Sequence, residues 1–137
     1  MKKVFALFLL VIMVLSISVS ALDATTRSIN ATVKDRCSDY TSIASVYCYG
    51  ELIYYGHTGY CATTDTYEEC RSVTATVYVY DNGVPVTVAS DTQNNASSAD
   101  ASGQYENGGL NSAGYHYVVD YSGGTWRGST AFSYGID

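Results

Sequence analysis

The chain is poor in positive charge, in histidine and in proline, and it carries none of the common catalytic signatures. Seven Lys and Arg stand against 13 Asp and Glu, a formal net charge of −6. Nucleic-acid phosphates are gripped by clustered Lys and Arg. Here Arg27, Lys34, Arg36, Arg71 and Arg127 are scattered, so no nucleic-acid partner is expected. With two histidines, any histidine-dependent mechanism rests on His57 or His116. His57 lies in Gly56-His57-Thr58-Gly59, the pattern of a solvated turn. His116 shares a strand face with Val118 and Asp120, as part of a small polar patch that includes Arg127. The Ser elbow of α/β-hydrolases, the paired His of zinc peptidases, the P-loop and the dinucleotide fingerprint are all missing, and no cofactor is expected.

A hydrolase that needs only two fold-placed carboxylates survives that exclusion. Glu51, Glu68, Glu69 and Glu106 supply candidates, although Glu68 and Glu69 also fit the end of a single turn capped by Asp65. The acidic stretch 91–100 lacks the ligand spacing of a calcium loop. Asn30 and Asn95 match the N-glycosylation pattern, which is meaningful only in a eukaryotic host.

No apolar run reaches the roughly 20 residues needed to span a bilayer. The longest, Val4 to Leu15, follows Lys2 and Lys3 and leads into Ser16 to Ala21, ending Val19-Ser20-Ala21. A charged start, an apolar centre and small residues at the last and third-last positions form a secretory signal peptide. Cleavage after Ala21 predicts a secreted domain over 22–137 with no stable membrane anchor. It removes two of the seven basic residues and leaves five against 13 acidic ones, a net of −8. That charge disfavours a membrane-active toxin, which draws on cationic residues to reach anionic lipids.

Cys37, Cys48, Cys61 and Cys70 are separated by ten, twelve and eight residues. Zinc ligands usually come in tighter pairs, and an even count in an exported chain predicts two disulfides. Cys37 and Cys48 would lie about 16 Å apart along a helix and farther along a strand, beyond the ~7 Å reach of a bridge. Of the two remaining patterns the nested one, Cys37 with Cys70 and Cys48 with Cys61, would staple antiparallel neighbours.

Composition points to strands: abundant Tyr, Ser, Thr and Gly, one proline, and no long stretch of helix formers. Val73, Ala75, Val77 and Val79 alternate with Thr74, Thr76, Tyr78 and Tyr80, so one face is core and the other wet. Asn82-Gly83 suits a type I′ hairpin and sets Val79 opposite Val86, Val77 opposite Val88 and Pro85 opposite Tyr80. A second hairpin, 115–121 with 126–134 around Gly123-Gly124, sets Tyr121 against Trp126, Tyr117 against Thr130, Tyr115 against Phe132 and Asp120 against Arg127. Residues 38–50 read as strand or helix, with strand favoured by β neighbours. Segments 91–103 and 106–114 read as loops. The heptads 27–33 and 71–77 match at five of seven positions, too little for a solenoid. Together these predict an all-β fold, a single antiparallel β-sandwich-like domain of about seven to eight strands.

Tyrosine is the strongest functional hint. Tyr78 and Tyr80 leave the polar face of their strand, and Tyr47, Tyr49, Tyr54, Tyr55, Tyr60 and Tyr67 crowd the cysteine-bearing half. Rigid rings set among Ser, Gly and Asn are the composition of adaptable binding surfaces. The expectation is a non-catalytic extracellular module that binds a surface, glycan or protein partner, with Tyr54, Tyr55, Tyr78 and Tyr80 as candidate contacts. Self-assembly through the valine-rich edge strand 84–90 is an allied expectation. A receptor-directed toxin and a carboxylate hydrolase are the alternatives.

Overall fold

The computed structural model describes residues 32–55, 59–105 and 111–133. The signal peptide expected over 1–21, Asn30, His57, Glu106 and most of the 27–33 heptad lie outside them. The described elements are all strands: β1 (Thr32–Tyr40), β2 (Tyr47–Tyr55), β3 (Gly59–Asp81), β4 (Val84–Gln104), β5 (Asn111–Val119) and β6 (Thr125–Ser133). The all-β expectation holds. Among the described residues there are six strands, two of them long: β3 and β4 run unbroken for 23 and 21 residues.

β3 is the spine. Its first half pairs antiparallel with β2, which pairs with β1, and its second half pairs with β5, which pairs with β6. β4 follows the other edge of β3 through both halves. The register slips between Asp65 and Cys70, opposite Asn95 at φ 51°, and there the ribbon turns back on itself. Thr64 Oγ1 consequently reaches the Thr74 carbonyl at 2.8 Å. At the other margin β1 meets β6 without a ladder: Ala131 N–H donates to Asp35 Oδ2 at 2.8 Å, and Ser42 N–H donates to Thr125 O at 2.8 Å. The antiparallel sheet is thereby nearly closed into a barrel, which limits the open strand edges that invite aggregation.

The interior follows the alternation read from 73–80. Val73, Ala75, Val77 and Val79 are fully buried, with Leu52, Tyr60, Ala62, Val118 and Trp126 around them. Each buried valine is worth roughly 1.5–3 kcal/mol over its exposed state.

The first hairpin turns as its sequence demands, with Asn82 at φ 49° and Gly83 at φ 80°, and Tyr80 faces Pro85. Val86 is then an extra residue: Val79 faces Thr87 and Val77 faces Ala89. One inserted residue turns the following side chains over, so Val88 is exposed, as are Val84 and Val86 beside the turn, and the expected valine pairs do not form. Packing explains the choice. Thr87 and Ala89 point toward the site where β4 returns, and a Cβ on Gly103 would lie 3.1 Å from Thr87 Cγ2 and 3.3 Å from Val79 Cγ2. Larger side chains have no room there. Because a branched Cβ is costly at φ 80°, Gly83→Val should destabilise the fold by about 1 kcal/mol or more. Chemical denaturation checks this, and an unchanged midpoint would refute the turn.

The second hairpin is also displaced. Val118 faces Trp126, Tyr117 faces Arg127 and Tyr115 faces Ser129, around a loop of 120–124. Asp120 leaves the ladder because its carboxylate closes that loop, accepting from Ser122 N at 2.9 Å and Gly124 N at 2.8 Å. Residues 91–103, expected as loop, are strand: their inward positions are Ala99, Ala101 and Gly103, small and polar-looking in sequence yet buried. Residues 111–114 likewise begin β5. Residues 38–50 divide into two strand ends and a turn, and the single turn expected at Asp65 to Glu69 is the corner of β3.

The four cysteines are free, which corrects the two-disulfide expectation. Cys48 faces Thr66 while Cys61 faces Ile53, five residues away along the same ladder and on the outer side of the sheet. At ~3.3 Å per residue that separation is about 16 Å, so the nested pair Cys48 with Cys61 cannot close. Cys37 turns inward toward Gly128 and is no nearer a match.

Candidate functional site

His116, the histidine with described geometry, is buried at the centre of the barrel. Thr64 Oγ1 gives its proton to Thr74 O and therefore accepts from His116 Nδ1 at 2.9 Å. His116 Nε2 in turn accepts from Thr130 Oγ1 at 3.0 Å. These bonds define the neutral ring with its proton on Nδ1. Space for the ring comes from glycine: a Cβ on Gly50 would stand 2.5 Å from the imidazole, and one on Gly114 would meet Thr130 Oγ1 and His116 Nε2. Burial pushes the imidazole pKa down to about 4, against the smaller opposing effects of the Asp35 charge and the Thr63 carbonyl. Arg127 lies on the opposite face, over Tyr117 at 5.1 Å. His116 is a core polar group rather than part of the surface patch expected for it.

Asp120 is a second buried polar centre. Besides its loop N–H donors it accepts from Thr41 Oγ1 at 2.9 Å and from Ser45 Oγ. These hydroxyls and N–H groups hold its carboxyl below the usual range despite burial. The network ties the β1–β2 turn to the β5–β6 loop.

The outer face of β1, β2 and the first half of β3 gathers the tyrosines. Tyr47, Tyr49 and Tyr67, with Asp65 and Thr66, line an open cleft of about 360 Å³. Tyr47 stacks on Tyr67 with centroids 5.6 Å apart and 27° between planes, and Tyr40 meets Tyr47 edge-on at 5.1 Å. Tyr67 is 85% exposed, which nothing in the fold's own stability requires. Tyr49 donates its hydroxyl to Glu51, which also pairs with Arg36 Nε at 2.9 Å, and the Arg36 guanidinium lies 5.8 Å over the Tyr49 ring. Burial, then the bond to Glu51 and the Glu51 charge, push the Tyr49 phenol up to about 12, against the opposing effect of Arg36. Register places Glu51 beside Thr63 and Thr63 beside Asp100, with Asp65 two residues along the same face. Burial, then Asp100 and Glu51, raise the Asp65 carboxyl above its ordinary value.

Of the tyrosines singled out from sequence, Tyr78 and Tyr80 stack at 6.1 Å on the outer face of β3, with Tyr115 edge-on to Tyr78 at 5.3 Å. Tyr54 packs against Tyr60 at 5.4 Å and Phe132 at 5.9 Å, a core margin more than a contact surface. The side chain of Tyr55 lies outside the described residues. Glu68 and Glu69 are exposed at the β3 corner, Asn95 accepts from Tyr121 Oη at 2.8 Å, and 91–100 is strand rather than a calcium loop. Asp65 was readable only as a turn cap; its pairing opposite Tyr49 is what brings it to the cleft.

Thiol chemistry follows the same inside-outside division. Cys48 and Cys70 are fully buried, and burial together with the neighbouring Cys70 pushes Cys48 up to about 12. Cys61 is half-buried on the outer face. At neutral pH Cys61 should be alkylated first, with Cys48 at least about tenfold slower, since thiolate and access set the rate. Peptide mapping after timed alkylation reads this, and equal labelling of both would contradict the register.

Among the described residues no cluster of His, Cys, Asp and Glu is arranged to hold a metal ion. Compared with known proteins, the chain matches no family model, no curated protein and no solved structure.

Proposed function

We propose that this protein is a secreted, non-catalytic β module that engages an extracellular surface or partner through the tyrosine cleft of β2 and β3. The observation that carries this reading is the gathering of Tyr47, Tyr49 and Tyr67 with Asp65 around one open cavity. Exposed aromatic rings keep apolar surface in water, a cost recovered when a ligand covers them. The buried state of His116 takes that histidine away from the surface where a ligand would sit. Labelled protein should bind a panel of intact cells and immobilised glycans, and Tyr47→Ala/Tyr67→Ala should lose that binding by tenfold or more on the order expected for central aromatic contacts. Unchanged binding by the double variant would overturn the reading. Glycoside turnover that disappears in Asp65→Asn would replace it with the carboxylate hydrolase.

Self-assembly is a second reading, favoured by one observation. Val88 and Tyr115 are 54% and 48% exposed on the outer face shared with Tyr78 and Tyr80. The edge of β4 beside them is partly tied down, with Thr87 Oγ1 donating to Gln104 O at 3.0 Å and Asp100 N–H donating to Asp91 Oδ2 at 3.2 Å.

A further inference from the structure

We propose that the group held in the tyrosine cleft is a quaternary ammonium, seated against the rings of Tyr47, Tyr49 and Tyr67 beside the Asp65 carboxylate. This rests on the cleft being the working surface and adds the chemistry of its ligand.

Two of the polar groups in the lining are engaged within the fold. Thr66 Oγ1 is engaged with Glu68 O at 2.7 Å and Ser97 O at 3.2 Å, and the Tyr49 hydroxyl is given to Glu51. A sugar needs several directed donors and acceptors as well as a ring to stack on, whereas a methylated ammonium needs none. It is held by ring faces and by negative charge. Both are here: three rings and the Asp65 carboxylate line the cleft, with Glu51, which Arg36 holds, and Asp100, which accepts from Thr63 Oγ1, adding negative charge beside Asp65. The rim already carries one cation over a ring, Arg36 on Tyr49. An anionic ligand would meet Asp65 directly. A primary ammonium holds its water tightly, and ring faces return none of the hydrogen bonds it would give up, whereas a methylated ammonium gives up none. The raised carboxyl of Asp65 fits the same picture, because a cation beside it favours the ionised form and relieves its crowding with Asp100 and Glu51. Binding should therefore weaken as acid protonates Asp65.

Choline chloride is the probe, titrated into the full chain and followed by the aromatic NMR signals of Tyr47, Tyr49 and Tyr67. Its neutral isostere 3,3-dimethylbutan-1-ol has the same shape without the charge. The expected result is saturable shifts confined to the cleft, with the isostere weaker by about tenfold, and a loss of similar size in Tyr67→Ala and Asp65→Asn. Tyr115→Ala, on the other aromatic face, should bind as the wild type does. Phosphatidylcholine vesicles that sediment the protein and are competed by choline identify a lipid headgroup as the source. Vesicles that leave it in solution while choline still binds identify a free solute. Equal binding of choline and the isostere, or choline shifts outside the cleft, would overturn the inference while leaving the cleft as a binding surface. No response to choline, with cell binding kept in Tyr47→Ala/Tyr67→Ala, would remove both.

Discussion

Replacing Asp120 with alanine is expected to lower the free energy of unfolding by about 3 kcal/mol, because it orphans the buried Thr41 hydroxyl and Gly124 N–H and unties the exposed Ser45 and Ser122. Asp120 Oδ1 accepts from Ser122 N and Gly124 N, and Oδ2 from the hydroxyls of Thr41 and Ser45. Asp120→Asn should cost much less. Its Oδ1 keeps the two amide donors, and its Nδ2 can donate to Thr41 and Ser45 once those hydroxyls turn to accept. Guanidinium denaturation of the three proteins tests the order. Equal losses for Ala and Asn would show that charge, not hydrogen bonding, holds the loop. The Asp120 carboxyl is depressed in the fold, so the stability it contributes is present above its unfolded pKa and is lost as pH falls through the lower folded value.

Acid should act first through His116. Its folded pKa of about 4 lies below the ordinary imidazole value of 6.5, so between those values the unfolded chain binds more protons. Stability is therefore full above pH 6.5 and drains as pH falls toward 4, by up to about 3 kcal/mol at 1.4 kcal/mol per unit. A protonated ring would carry hydrogen on both nitrogens, and Thr130 would have to turn its hydroxyl from Nε2 toward Gly114 O, 3.5 Å away. His116→Gln keeps one donor and one acceptor without titrating. Its unfolding free energy should be nearly flat between pH 6.5 and 4, whereas a slope equal to the wild type's would assign the acid sensitivity elsewhere.

Where the sequence was legible, local chemistry and the barrel agreed. The 73–79 alternation buried its valines, and Asn82-Gly83 made its turn because both positions need positive φ. Where it was not, a contact far along the chain overruled a local pattern. Val84, Val86 and Val88 alternate as well as any core strand, yet the narrow space beside Gly103 admits Thr87 and Ala89, and a bulge supplies the flip. The second hairpin was misplaced because Asp120 reads as a ladder residue until Thr41 and Ser45, some 79 and 75 positions away, are seen to claim it. Residues 91–103 look like loop since their buried positions are alanine and glycine. For the cleft, the crowding of Tyr47, Tyr49 and Tyr67 was visible in composition. Their convergence with Asp65 was not, because it depends on the β2–β3 register. Tyr54 and Tyr78 drew equal notice in the sequence, and only the fold separates a ring packed beside Phe132 from one on an open face.

The two aromatic faces make opposite demands on a binding experiment, which allows one comparison to decide between them. Labelled wild type, Tyr47→Ala/Tyr67→Ala and Tyr78→Ala/Tyr115→Ala would be titrated onto the same cells or immobilised surface, with each fold verified by circular dichroism. If the β2–β3 cleft is the working surface, the first double variant loses affinity by about tenfold or more and the second keeps wild-type affinity; loss confined to Tyr78→Ala/Tyr115→Ala would contradict it.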